Sequence, residues 1–336
     1  MKKSLKVFGI AFFLGALSLS STAQVDPHFS MYYVYPTWMN PALTGVFDGD
    51  YRIAGIYRSQ WGRISKPFST PGIAVDFSTN KNANFGINML NQTAGDGGYN
   101  HSTVYGNAAY SGIRFGKMES QRILIGLQFG MIQRGFNSSK LKLGDQYNNA
   151  TGVADLQTQD PNILSIRRVS AFDMSVGAFY YDAMPGKKLN AFGGFSLSHL
   201  TKPKTSFTNN GNEIYPMRTT LHGGVRIAVN STLNITPNFL YMSQGQATEK
   251  MLGATGQYKY NATTDLMAGI NYRFQDAIAP FIGFTYNNYM FGACYDINTS
   301  DLGKSVPGTN GFEFTLSYIG RKSTKTPEVE FVCPRL

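Results

Sequence analysis

The stretch Asp265-Leu-Met-Ala-Gly-Ile-Asn-Tyr-Arg-Phe274 decides the fold class. Leu266, Ala268, Ile270, Tyr272 and Phe274 occupy one set of alternate positions, and Asp265, Gly269, Asn271 and Arg273 occupy the other. Successive side chains of a strand point to opposite faces, so the segment has one apolar and one polar side. Near the end of the chain, Gly311-Phe-Glu-Phe-Thr-Leu-Ser-Tyr318 repeats the pattern, with Phe312, Phe314, Leu316 and Tyr318 opposite Glu313, Thr315 and Ser317. So do Ile125, Leu127, Phe129 and Met131 against Gly126 and Gln128, and Phe172, Met174 and Val176 against Asp173 and Ser175.

Working outward, residues 51–320 divide into fourteen strand-length segments, near 51–60, 71–79, 83–91, 102–116, 120–133, 169–182, 187–200, 217–229, 231–243, 247–260, 264–274, 278–287, 288–297 and 310–320. Connections after even segments are tight, as at Thr79–Asn82, Lys117–Ser120, Met184–Lys187, Asn230–Ser231 and Asn287–Asn288. Several after odd segments are long, notably Gly135–Arg168, Thr201–Pro216 and Asn298–Thr309. Short inner turns and long outer loops are the cadence of a bacterial transmembrane barrel. The expectation is an all-β protein, a closed antiparallel β-barrel of about fourteen strands. An even count places both termini on one side, taken as periplasmic. Pro237, which removes a ladder bond inside a strand, predicts a bulge. Tyr180, Tyr181, Tyr258, Tyr260, Tyr286 and Tyr289 suit interfacial aromatic girdles.

Composition agrees. Charged residues make up 15% of the chain, against roughly 25% in soluble domains, while aromatics reach 14% and Gly numbers 36. Residues 1–23 read as a secretory signal peptide: Lys2 and Lys3 lead an apolar stretch from Val7 to Leu19, and Ser21-Thr22-Ala23 is a small-residue cleavage signal. Past it, no apolar run reaches the roughly 20 residues a membrane helix needs. Loss of Lys2, Lys3 and Lys6 lowers the formal charge from +10 to +7. The remaining Lys and Arg are scattered, which argues against nucleic acid and for lipid head groups or solvation. Residues 24–50 stand outside the strand pattern as an irregular or partly helical segment, periplasmic or folded into the lumen. Residues 321–336 form a periplasmic tail.

The residues offer little for catalysis. His28, His101, His199 and His222 have no metal-ligand spacing, and no cofactor is expected. His222 faces the lumen beside Arg226 and reads as structural. Gly303-Lys304-Ser305 imitates the end of a phosphate loop without the upstream Gly or a strand-to-helix context. No Gly-x-Ser-x-Gly elbow occurs. Cys294 and Cys333 form an even pair where a disulfide is permitted, but bridging them requires the tail to fold into the pore, and two unpaired thiols are the other reading. Asp76, Arg114, Arg226, Arg273, Asp296 and Glu313 fall on the lumen face with both signs, either as an ion-paired lining or as tuners of a solute path.

The chain resembles the PorP/SprF family, outer-membrane proteins of the type IX secretion system of Bacteroidota. The resemblance is carried by Gln24-Val25-Asp26-Pro27-His28-Phe29-Ser30-Met31-Tyr32, by Asn40-Pro41-Ala42-Leu43-Thr44-Gly45 and by Tyr57-Arg58-Ser59-Gln60-Trp61. It continues through Asp173–Tyr181, Gly269–Asp276, Gly292–Ser300 and Cys333-Pro334-Arg335. Val25, Met31 and Cys294 depart from the pattern. The resemblance implies a non-enzymatic bacterial outer-membrane protein embedded in lipid. Such proteins support secretion or surface attachment of large adhesins through their C-terminal sorting domain, and some tie the membrane to the secretion and gliding machinery. Asp26, Pro27, Phe29, Ser30, Tyr32, Asn40, Pro41, Gly45, Arg58 and Trp61 are then the candidates for plugging the barrel or docking a partner. A passive diffusion porin is the competing reading. An outer-membrane enzyme has only generic polar residues behind it.

Overall fold

The computed structural model describes residues 26–321, apart from 63–65, 80, 97, 138–139, 141–142, 149, 155–156, 160–167, 208–211 and 307. The predicted signal peptide and nearly all of the predicted tail, Cys333 included, lie outside the described residues.

Fourteen antiparallel strands close into one barrel, each paired with its sequence neighbours and the first with the last. They are β1 (Tyr51–Gln60), β2 (Phe68–Phe77), β3 (Ala83–Ala94), β4 (Tyr99–Phe115), β5 (Gln121–Gly135), β6 (Val169–Asp182), β7 (Leu189–Ser198), β8 (Arg218–Ala228), β9 (Leu233–Gln244), β10 (Ala247–Lys259), β11 (Thr264–Arg273), β12 (Ala277–Tyr286), β13 (Tyr289–Asn298) and β14 (Gly311–Gly320). Closure follows from the alternation. Lipid offers no hydrogen bonds to a sheet edge, so an apolar-faced sheet must pair its own edges.

The alternation divides the side chains as expected. On β14, Phe312, Phe314 and Leu316 are exposed, whereas Glu313, Thr315 and Ser317 are buried. On β5, Ile125, Leu127, Phe129 and Met131 face out while Leu124 and Gln128 face in. The end of the barrel that carries Tyr51 and Gly320, here the turn end, holds the tight connections. The opposite loop end holds the long ones, together with the short Gly245–Gln246 turn between β9 and β10. Tyr258, Tyr260, Tyr286 and Tyr289 are exposed at the turn end, as a girdle requires, but Tyr181 is 7% exposed and points inward. Its neighbour Tyr180 takes the outward position, because adjacent residues cannot share a face. Asn287 adopts φ +53° in the two-residue turn between β12 and β13, a left-handed conformation that Asn tolerates.

Two local expectations are corrected. The register through Pro237 is unbroken, with Pro237 opposite Ala254 on β10. Toward β8 the ladder keeps its offset and skips two positions, between the pairs Gly224–Asn238 and Ile227–Ile235. The missing N–H thus costs pairing without inserting a residue. The irregularity lies instead between Tyr110 and Ile113 of β4, where the register to β5 shifts. Beyond it, Arg114, expected on the lumen face, is instead exposed at the turn-end rim, because past the register shift the alternation no longer buries one face, and it donates to Asn82 at 2.5 Å. Gly303-Lys304-Ser305 closes a five-residue helical turn, Asp301–Ser305.

The core lies inside the barrel. The leading segment enters it with a 3₁₀ turn (Tyr32–Val34), a four-residue helix α1 (Pro36–Met39) and a second 3₁₀ turn (Pro41–Leu43). Tyr33, Met39 and Leu43 pack against Leu124, Phe179, Phe192 and Phe281, and Phe29, Tyr35 and Trp38 pack against Ile56, Leu90, Tyr105 and Ile132. Each large apolar side chain so buried stabilises by about 1.5–3 kcal/mol.

Candidate functional site

The leading segment is threaded through the lumen from one rim to the other. Its short elements leave many backbone groups without helical partners, and inward polar side chains of the strands take them up. Gln128 donates to the Thr37 carbonyl at 3.2 Å and Ser196 to the Met39 carbonyl at 2.7 Å.

At the loop end, Asp26 sits in a buried pocket formed by β7, β8, β9 and the connection before β8. Its N–H donates to Gln244 at 2.8 Å, and its carboxylate accepts from the Tyr215 hydroxyl at 2.6 Å, Arg218 at 2.7 Å and His199 at 2.7 Å. The other ring nitrogen of His199 lies 2.7 Å from Asp173, which also accepts from Tyr105 at 2.8 Å. Burial alone would push the Asp26 carboxyl up, but His199 and Arg218 outweigh it and hold the group well below the usual carboxylate range. Burial disfavours charge on His199 too, yet Asp26 and Asp173 raise it to about 9. Arg218 continues inward to the Trp38 carbonyl at 2.7 Å and lies over the Trp38 ring, whose N–H donates to the Pro27 carbonyl at 2.9 Å.

Four residues on, Ser30 and Met31 meet the seam where β1 closes against β14. Both donate backbone N–H groups to Glu313, at 2.6 and 2.9 Å. Arg58 of β1 bridges Glu313 at 2.8 Å and Asp296 at 2.7 Å, and donates to the His28 carbonyl. The Ser30 hydroxyl donates to Asp296 at 2.7 Å and accepts from Arg273, which itself pairs with Asp296 at 2.9 Å. Two guanidinium groups thus face two carboxylates around one serine. Mutual pairing and hydrogen bonds to the leading segment offset the cost of taking such groups out of water.

Midway through the lumen, Asn40 caps the turn that Pro41 starts. Its side-chain oxygen accepts from the Ala42 N–H at 2.9 Å, and its amide reaches the Ala178 carbonyl at 3.0 Å and His222 at 3.2 Å. Glycines of three adjacent strands make room. A Cβ on Gly126 would overlap the Pro41–Ala42 peptide, and one on Gly177 or Gly194 would meet the Asn40 side chain. Gly45 then turns the chain toward the turn end at φ +76°, with its N–H donated to Asp76 at 2.8 Å. Asp76 is also held by Arg52, at 2.8 Å.

Of the candidate residues, Asp26, Phe29, Ser30, Tyr32, Asn40, Pro41, Gly45 and Arg58 therefore meet in one plug–wall contact, and Pro27 joins it through its carbonyl. Trp61 stands apart at the loop-end rim with φ +59°, edge-on to Phe68. Sequence reading missed the Asp26 pocket. Its only signal was Asp173 on the inward face of β6, because His199, Tyr215 and Arg218 converge from a loop and a strand end. The expectation of termini on one side holds for the barrel's own ends, Tyr51 and Gly320. The threaded segment carries Asp26 to the opposite end.

Among solved structures, the chain is similar to the toluene transporter TbuX of Ralstonia pickettii, at 12% identity and a TM-score of 0.53, over 86% of this chain and 93% of that one. It is also similar to the monoaromatic hydrocarbon channel CymD, at 9% identity and a TM-score of 0.51, with the same two coverages. At these identities the likeness is one of fold alone, an outer-membrane barrel. No curated protein matches. The model of the family described as type IX secretion system membrane protein PorP/SprF matches residues 21–318. This plugged barrel therefore belongs to the PorP/SprF family and is an outer-membrane protein of a secretion system.

Proposed function

We propose that the protein is a non-enzymatic platform of type IX secretion that supports secretion or cell-surface attachment of a large adhesin through its C-terminal sorting domain. A link to gliding motility belongs to the same reading. The turn end then faces the periplasm and its machinery, and the loop end faces outward, where the adhesin is held. The observation that carries this is the threaded segment. It is hydrogen-bonded to strands around the circumference, so the lumen is committed to holding the chain's own residues rather than to solute flow. Buried ion pairs that anchor backbone groups at fixed positions suit a rigid scaffold.

Deleting the gene is expected to abolish surface display of one or more sorting-domain proteins while leaving general envelope permeability intact. Normal display of every such protein would refute the proposal. Planar-bilayer recordings separate it from a diffusion porin: the platform gives little or no current, and large steady conductance favours the porin.

A further inference from the structure

The turn-end rim is unevenly charged. Across β4–β8 its described residues carry Arg114, Lys117, Arg122, Lys187, Lys188 and Arg226 against Glu119 and Asp182, six cations to two carboxylates. Around the rest of the rim, Lys81, Lys259 and Arg321 are matched by Asp48, Asp50 and Asp265. Asp182 is held by Lys187 at 2.6 Å, so Glu119 is the one other carboxylate of the basic arc. Neighbouring strands bring the cations together. Arg114 lies opposite Arg122 in the β4–β5 ladder, Arg226 lies opposite Asn190 of β7, and the Lys188 carbonyl accepts from the Ala228 N–H at 2.9 Å. Like charges placed opposite one another weaken a ladder, so barrel stability gives no reason for this arrangement.

Surrounding lipid does not account for it either. Head groups encircle the barrel, and cations placed for them belong all round it rather than on one arc. Arg122 and Arg226 also fall on the lumen-facing set, opposite the inward Tyr181 and Asn190, and so belong to the mouth. The β4–β5 tip is clear of hydrocarbon as well. Phe115 stacks on Tyr180 in the aromatic girdle, and Lys117, Met118 and Glu119 follow beyond it. There Met118 is 66% exposed, and Met118 and Glu119 hold left-handed backbone at φ +58° and +53°. An adaptable apolar side chain ringed by charge has the make-up of a protein interface, with an apolar centre and a polar rim.

We propose that this arc is the docking surface for an acidic patch on a periplasmic protein of the secretion machinery, with Met118 at its centre and Lys117 and Lys188 on its rim. The inference rests on the reading that the turn end faces the periplasm. A one-sided arc also fixes which side of the barrel the partner takes and leaves the β9–β14 side of the mouth uncovered.

The test places the photo-crosslinker p-benzoylphenylalanine at Met118 of the full-length protein in its own cells. A discrete protein adduct is expected, with a cross-linked peptide rich in Asp and Glu. Lys117→Glu combined with Lys188→Glu, both at exposed positions outside the strands, is expected to cut the adduct about ten-fold. Lys81→Glu combined with Lys259→Glu makes the same charge change on the balanced arc and is expected to leave the adduct intact. Reversing two carboxylates of the cross-linked peptide to Lys is expected to restore the adduct with K117E/K188E. Heat-modifiable migration on gels checks that each variant folds. An adduct indifferent to K117E/K188E would overturn the proposal, as would adducts to lipid or to the protein's own chain alone, or no adduct. Display of sorting-domain proteins, read in the same cells, separates the two readings. Display lost on gene deletion with a charge-indifferent adduct refutes this surface and leaves the platform standing, whereas a charge-dependent adduct with normal display does the reverse.

Discussion

Arg58 and Glu313 are directly opposite one another in the ladder that closes the barrel, and their side chains meet inside it at 2.8 Å. The first strand is joined to the last by a charge pair that also grips the leading segment, through the His28 carbonyl and the Ser30 and Met31 N–H groups. Arg58→Ala leaves Glu313 buried without its cation, a loss that typically costs about 3–5 kcal/mol. The expected outcome is a fall in the unfolding midpoint in detergent and in the heat-stable gel form. Arg58→Lys supplies an ammonium that reaches one carboxylate but not both, and is expected to recover only part of the loss. Wild-type stability in R58A would contradict this account of the seam.

The glycine track makes a sharper test of occlusion. Gly177→Val adds bulk where Asn40 lies against β6, while its outward neighbours Val176 and Ala178 stay in place. The barrel is expected to form, with the leading segment displaced and single-channel current appearing in bilayers. Deleting residues 26–45 is expected to do the same. A silent deletion variant with an intact barrel would mean that something else closes the lumen.

Threading predicts an unusual accessibility. An epitope placed immediately before Asp26, beyond the predicted signal peptide, is expected at the loop end, and one appended after Leu336 at the turn end. On intact cells antibody should reach the first and not the second. Equal protection of both would show that the segment does not traverse the barrel in the cell.

The Asp26 pocket predicts a pH dependence with a definite sign. His199 is raised from 6.5 to about 9, so its contribution to stability is fully present below about 6.5 and is lost as pH rises through 9. Asp26 is lowered, so its contribution is present above its ordinary value of 3.8 and is lost only as pH falls below it. Between these limits the loop-end anchor is intact. Above pH 9 proteolytic nicking near Pro27 is expected to increase, and His199→Gln is expected to raise nicking at neutral pH and flatten the alkaline rise. Unchanged nicking across this range would remove His199 from the anchor.

The barrel was legible because period-two alternation is a local signal. Each of the fourteen segments coincides with a strand, and the main differences in extent are longer strands at the loop end, where β2 begins at Phe68 and β3 runs on to Ala94. Much of the lumen face was legible too. Asp76, Arg273, Asp296 and Glu313 fall on the polar side of the alternation and are buried, whereas Arg114, expected with them, lies exposed past the register shift in β4. Pro237 misled because a proline can drop its ladder bond on one side without a bulge. The path of the leading segment left no such trace. Ser30 reaches Glu313 and Asn40 reaches His222 across most of the chain's length, and nothing within a few residues of either encodes that meeting.

The threaded segment also bears on time. It is synthesised before any strand and, through Ser30, already presents the hydrogen-bond donors that Glu313, on the last strand, must find. Closing an empty fourteen-strand cylinder would leave Arg58, Arg273, Asp296 and Glu313 facing one another without Ser30 and Met31 between them. A segment synthesised ahead of β1 thus ends up inside the seam that the final hairpin closes, so the last pairing of the barrel is also the one that locks its first residues in place.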